Sequence, residues 1–159
     1  MSKTKTRMTL AGVLVSCALG LVALKVAWAT PGRQITTTIF SGPVLLGEID
    51  VNTEARSHEV EIKTKGRSDV YIVHNRIAPG GHTGWHSHLG PSIISVVAGE
   101  ATEYHEDDPV GTVYPAGTAF VDDGQGAHIV RNEGTSDLEL IAFQILPLGA
   151  TRRIDEPAP

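Results

Sequence analysis

Beyond Thr30 no window of this sequence carries a convincing helical period, while short apolar or β-branched runs recur between Gly, Asp and Pro clusters. A chain punctuated in this way folds as a sandwich or closed barrel of short strands. Thr30 to Thr38 reads as an extended lead-in, followed by the Pro43 to Ile49 run. Asp50 to Ser57, charged and polar, reads as a loop, and Glu59-Val60-Glu61-Ile62-Lys63 alternates as a half-buried strand. Val70 to Ile77 is a stronger run, closed by the Pro79-Gly80-Gly81 turn. Ser92 to Ala98 stops at Gly99 and pairs in a hairpin with Ala101 to Tyr104. Glu106-Asp107-Asp108-Pro109 reads as an exposed loop, and Val113-Tyr114, Thr118 to Val121, Ala127 to Val130 and Leu138 to Leu146 supply further strands.

Within this frame one constellation carries chemistry: His86-Ser87-His88 in a Gly-rich stretch, and His128 forty residues further on. In an extended strand His86 and His88 project to the same side, so both imidazoles can grip one ion. The ligating form is the neutral imidazole, with a reference pKa of about 6.5, so metal binding is expected to weaken in mildly acidic buffer.

Gly80, five residues, His86-x-His88, three residues, Ser92, six residues and Gly99 follow the first cupin motif, and His128-x3-Asn132 ends as the second does. The chain therefore resembles the cupin superfamily over residues 68 to 147, which implies an all-β, double-stranded β-helix (jelly-roll barrel) with one metal site. Pro115-Ala116-Gly117 is similar to the Pro-x-Gly of the second motif. The ten residues from there to His128, where the family leaves two, are read as a longer loop. Ser92 stands where the family usually has a carboxylate ligand.

The resemblance thus implies a metal site of three histidines, His86, His88 and His128, with an open coordination position for water, substrate or dioxygen. Imidazole suits several divalent transition metals, so Fe, Zn, Mn, Ni and Cu are all left open. His82, Asp122, Asp123 and Gln125 are the candidates for a fourth ligand or an acid-base group. Trp85, by alternation, faces away from the metal and packs outside the pocket. Gly80, Gly84 and Gly99 are read as backbone necessities. His58, His74 and His105 have no partner spacing, and Arg152 and Arg153 read by default as a solvated pair, anion binding being open to them only if the tail returns to the barrel.

The ligand set is similar to that of three-histidine thiol and diketone dioxygenases. The leading expectation is a dioxygenase-like metalloenzyme acting on a small organic molecule. The alternative is a non-catalytic barrel that holds a small ligand or a metal, and zinc hydrolase or isomerase chemistry ranks last for want of an acid-base residue. Cupin domains often pair through their sheets, so a homodimer is expected.

Lys3, Lys5 and Arg7, the apolar Leu10 to Leu24 and Ala27-Trp28-Ala29 form the pattern of an export signal over residues 1–29, leaving one domain over 30–159. The protein is then periplasmic or extracellular. An uncleaved membrane anchor, or lipidation at Cys17, is the competing reading of the same segment. Without Cys17 the domain has no cysteine and relies on its core, which about 130 residues suffice to build. Thirteen Lys and Arg oppose eighteen Asp and Glu; four of the bases and none of the acids precede Thr30, so the domain carries 9 − 18 = −9. Such a charge repels a phosphate backbone and argues against nucleic acid as a partner.

Overall fold

The computed structural model describes residues 28–159. The signal-like segment lies almost wholly outside them, as does Cys17. The described residues form twelve strands and no helix, so no helix among them is long and apolar enough to cross a membrane.

The spine is β4 (Ser68–His82), which pairs antiparallel along one edge with β1 (Arg33–Leu46) and along the other with β11 (Leu138–Pro147). β11 continues to β6 (Ser92–Ala98), and β6 to β9 (Ala119–Asp122). A second layer runs β8 (Asp108–Pro115), β7 (Glu100–His105), β10 (His128–Arg131), β5 (His86–Ser87) and β12 (Ile154–Asp155). The two layers join where Arg131 of β10 meets His82 at the end of β4. The result is a nearly closed antiparallel barrel.

Alternation along the strands fills it. Leu138, Leu140, Ala142, Gln144 and Leu146 of β11 turn inward, opposite Ser92, Ile94 and Val96 of β6 and Phe120 and Asp122 of β9. Val73, Ile77, Val96, Ala101, Leu138 and Leu140 make one end of the interior apolar. Ser92, Asp122, Gln144, Glu103 and the histidines make the other end polar, so the barrel holds a core and a site in series. Trp85, Ala127 and Ile129 pack as a separate cluster with Tyr104, the outward packing expected for Trp85.

Four local readings need correction. β6 and β7 do not form a hairpin: across Gly99 the chain passes from one layer to the other, so β6 pairs with β11 and β9 while β7 pairs with β10 and β8. Asp50 to Ala55 is a strand, β2, paired with β3 (His58–Lys63) through a turn at Arg56-Ser57. Its charge suggested a loop because no layer covers this hairpin: every residue of both strands is exposed, so β3 is not half-buried either. Asp108 and Pro109 open β8 rather than belonging to a loop. The stretch from Gly117 to His128 is not a long loop, since β9 occupies Ala119–Asp122 and a turn through Gly124 and Gly126, both at positive φ, returns the chain to β10.

Candidate metal centre

His86 and His128 are register partners across β5 and β10, and His88 follows one side chain further along the same face. All three are buried, and each offers a ring nitrogen within 4.8 Å of the others. Their Nδ1 atoms are engaged. His86 Nδ1 lies 2.8 Å from the Gly84 carbonyl oxygen, His88 Nδ1 2.7 Å from that of Arg152, and His128 Nδ1 2.9 Å from the Glu103 carboxylate. A carbonyl oxygen or carboxylate accepts, so each Nδ1 donates and each Nε2 presents its lone pair. Holding the distal nitrogen in this way fixes both tautomer and ring orientation of a ligating histidine.

Burial also keeps the His86 and His88 rings neutral. Desolvation pushes His86 far below the ordinary imidazole range, helped by His128, Arg153 and His88. His88 is lowered too, chiefly by burial, against the bond to the Arg152 carbonyl and the Asp122 charge, which raise it. The weakening of metal binding expected in mildly acidic buffer therefore moves to lower pH. The unfolded chain, by contrast, takes up these protons near pH 6.5, so in the metal-free protein their contribution is intact above that value and lost below it. Each of the two histidines then lowers stability by up to about 1.4 kcal/mol per pH unit. The Tm of chelator-treated protein is expected to fall steadily from pH 7 to 5; a flat profile would show that the rings are not desolvated.

Of the other sequence candidates, only Asp122 reaches this cluster. Its Oδ2 lies 3.5 Å from His128 Nε2 and 3.9 Å from His88 Nε2. His82 sits on another groove with Arg131 and Glu133, its Nδ1 accepting from the Gly84 N–H at 3.1 Å. Asp123 caps the Gln125 backbone at 2.8 Å, and both are exposed. Ser92 is fully buried, its hydroxyl oxygen accepting from Gln144 Nε2 at 3.0 Å. Glu103, buried behind His128 and 3.6 Å from His105 Nε2, was not expected: a Glu within a short predicted strand gives no signal of its own. Gln144 was not expected either, although its place as the polar member of the inward row of β11 is a signal that alternation could have supplied.

The tail does return. β12 pairs with β5, the Thr30 N–H donates to the Glu156 carbonyl and the Glu156 N–H to that of Trp85, both at 2.9 Å. Arg152 and Arg153 thereby form one wall of a cavity of about 280 Å³ whose floor holds the three histidines and Ser92. Arg153 is occupied by Asp155 at 2.6 Å and by the Thr83 carbonyl. Among the described residues Arg152 has no acidic partner and donates only to Gln144 Oε1 at 3.3 Å.

A divalent metal suits these groups. His128 Nε2 and Asp122 Oδ2 are both buried without a hydrogen-bond partner, which is costly for polar atoms unless something positive lies between them. Three neutral imidazoles beside a carboxylate form a donor set for a transition metal.

No family model and no curated protein matches the chain. Among solved structures it is similar to an uncharacterised conserved protein with a double-stranded β-helix domain from Klebsiella pneumoniae, at 18% identity over 69% of this chain and 85% of that one, with a TM-score of 0.48. It is also similar to a cupin domain from Bordetella pertussis, at 19% identity over 62% and 93% of the two chains, with a TM-score of 0.43. A predicted oxalate decarboxylase from Thermotoga maritima matches at 24% identity over 52% and 83%, with a TM-score of 0.43. By its own strand order and register the protein is an all-β, nearly closed antiparallel barrel.

Proposed function

We propose that this protein is an exported metalloenzyme of the cupin type, dioxygenase-like in its chemistry, acting on a small anionic organic molecule. One observation carries the reading: three Nε2 lone pairs, each oriented by an acceptor behind it, converge on a cavity of small-molecule size beside an arginine without an acidic partner. A bound Fe, Mn, Ni, Cu or Zn ion supplies Lewis acidity, and the first four also supply redox chemistry. The chain does the rest. The apolar end of the cavity, with Ile35, Val73 and Leu140, excludes water from the body of a substrate, while Arg152 orients a carboxylate or enolate at the wall.

The test is oxygen consumption by Fe(II)-loaded protein across thiols, diketones, flavonols and their carboxylate-bearing analogues. Arg152→Leu leaves the backbone carbonyl that holds His88 in place, and is expected to raise KM for the anionic substrates about 10- to 100-fold. An equal KM in both proteins would remove Arg152 from substrate binding.

A non-catalytic binding barrel is the second reading. In its favour, among the described residues the cavity wall offers no titratable side chain besides the three histidines, the two arginines and Asp155, which Arg153 holds. A ligand retained through purification with no product formed would establish it.

Export rests on the residue 1–29 pattern, and N-terminal sequencing of protein recovered from the periplasm or medium decides it, with Thr30 as the expected first residue. A homodimer is proposed on a row of exposed apolar side chains crossing the outer sheet in register, Ile72, Phe143, Ile93 and Val121. Such a row is suited to an isologous pairing, and the mass from solution scattering decides between dimer and monomer.

A further inference from the structure

We propose that Asp122 is the carboxylate ligand of the metal centre, supplied by β9 in place of the one that Ser92 does not supply from β6. The inference rests on the metal reading above and adds a residue to it.

Ser92 and Asp122 are direct register partners across the antiparallel β6–β9 pair, and both turn inward with 1% and 2% of their surface exposed. Side chains so paired stand about 5 Å apart on one face, so a carboxylate moved from one strand to the other still addresses the same point in the barrel. The side chain is held: Asp122 Oδ1 accepts from the Gly124 N–H at 3.1 Å, which turns Oδ2 toward His128 and His88. Oδ2 then meets two Nε2 atoms whose protons are committed to the opposite side of each ring. Oxygen and nitrogen lone pairs facing one another at 3.5 Å make no hydrogen bond, and both Oδ2 and His128 Nε2 lack any other partner. A cation accepted by all of them satisfies every orphaned atom at once. Ser92, bonded to Gln144, takes no part.

The competing explanation is a proton on a histidine Nε2, which would pair with Asp122 and leave no role for a metal there. The two are separated by titrating metal-free protein with Co(II) and following both calorimetry and the visible ligand-field bands. The proteins compared are wild type, Asp122→Asn, the double variant Ser92→Glu/Asp122→Ser, and His86→Ala. Expected are one Co(II) per wild-type chain, a loss of affinity in Asp122→Asn beyond about 100-fold with altered bands, and substantial recovery in the double variant. That loss should exceed the 10- to 100-fold typical of groups that only orient a ligand. In the metal-free state Asp122→Asn is expected to leave Tm unchanged or raise it, because a buried carboxylate oxygen without a partner is replaced by a neutral amide; a merely structural Asp122 would lower it. Wild-type affinity and bands in Asp122→Asn would overturn the assignment while the three-histidine site stood. Failure of the wild type itself to bind Co(II), Fe(II) or Zn(II) would overturn the metal reading and this inference with it.

Discussion

In a His128→Ala variant the metal content is expected to fall from one ion per chain to none, measured by elemental analysis of protein recovered without chelators. His128 is the ligand with most invested in it. It pairs with His86 across the strands, its Nε2 is one of two buried side-chain polar atoms without a partner among the described residues, and its Nδ1 is held by a carboxylate rather than a carbonyl. The deletion therefore has two separable effects. One is loss of a ligand, which no neighbour replaces, since His105 stacks 5.9 Å away, centroid to centroid, on the far side of the ring from the cluster. The other is a buried Glu103 carboxylate left with only His105, at 3.6 Å, which lowers the stability of the metal-free protein by about 1–3 kcal/mol. Glu103→Gln keeps an acceptor for Nδ1 and loses only the charge, so its expected cost is about 10- to 100-fold in metal affinity. Full occupancy in His128→Ala would mean that the ion sits elsewhere.

Gly84→Val is expected to destabilise the fold by about 2–5 kcal/mol and to take metal affinity down with it. Gly84 adopts φ +76°, a region that costs a β-branched residue about 1–3 kcal/mol. A Cβ there would stand 2.1 Å from the Thr30 carbonyl oxygen and 2.8 Å from the Gly32 nitrogen, both backbone atoms, and relieving such overpacking costs about 1–3 kcal/mol more. The turn has little freedom to yield, because Thr83 is tied to Val130 both ways: its N–H donates to the Val130 carbonyl and its hydroxyl accepts from the Val130 N–H, each at 2.9 Å. The Gly84 carbonyl is also the acceptor that fixes His86, so any shift of the turn misaims a ligand. Urea unfolding of metal-free protein and calorimetric metal titration read the two effects separately. Wild-type values in both would show that the loop adjusts freely.

The barrel and its histidines were legible because they depend on local rules. The apolar and β-branched runs gave the strands, Gly and Pro marked the turns, and the His-x-His spacing put two rings on one face whatever the remainder of the chain did. What was not legible depends on partners distant in sequence. Glu103 matters because β7 lies beside β10, and Arg152, named from the sequence only on condition that the tail returned, because β12 lies beside β5; neither neighbour relation leaves a mark on the residues around it. Asp122 was among four candidates that the sequence ranked alike, and only the register of β9 on β6 separates it from Asp123, one residue on and facing solvent. The β2–β3 hairpin was misread for the converse reason. Alternation and charge report burial, and this hairpin pairs without being covered.

The three acceptors that orient the histidines come from a turn at Gly84, a strand at Glu103 and the tail at Arg152. The tail is the least anchored of these, a two-residue strand with a few hydrogen bonds to β5 and the Thr30 region. Holding His88 through the Arg152 carbonyl makes its docking and the ion's binding a single linked equilibrium, and such coupling acts equally in both directions. By whatever factor the ion tightens the strap, an agent that peels β12 from β5 weakens the ion's hold by the same factor. The segment that walls the cavity is thereby also a handle by which the ion can be released without touching any of its ligands.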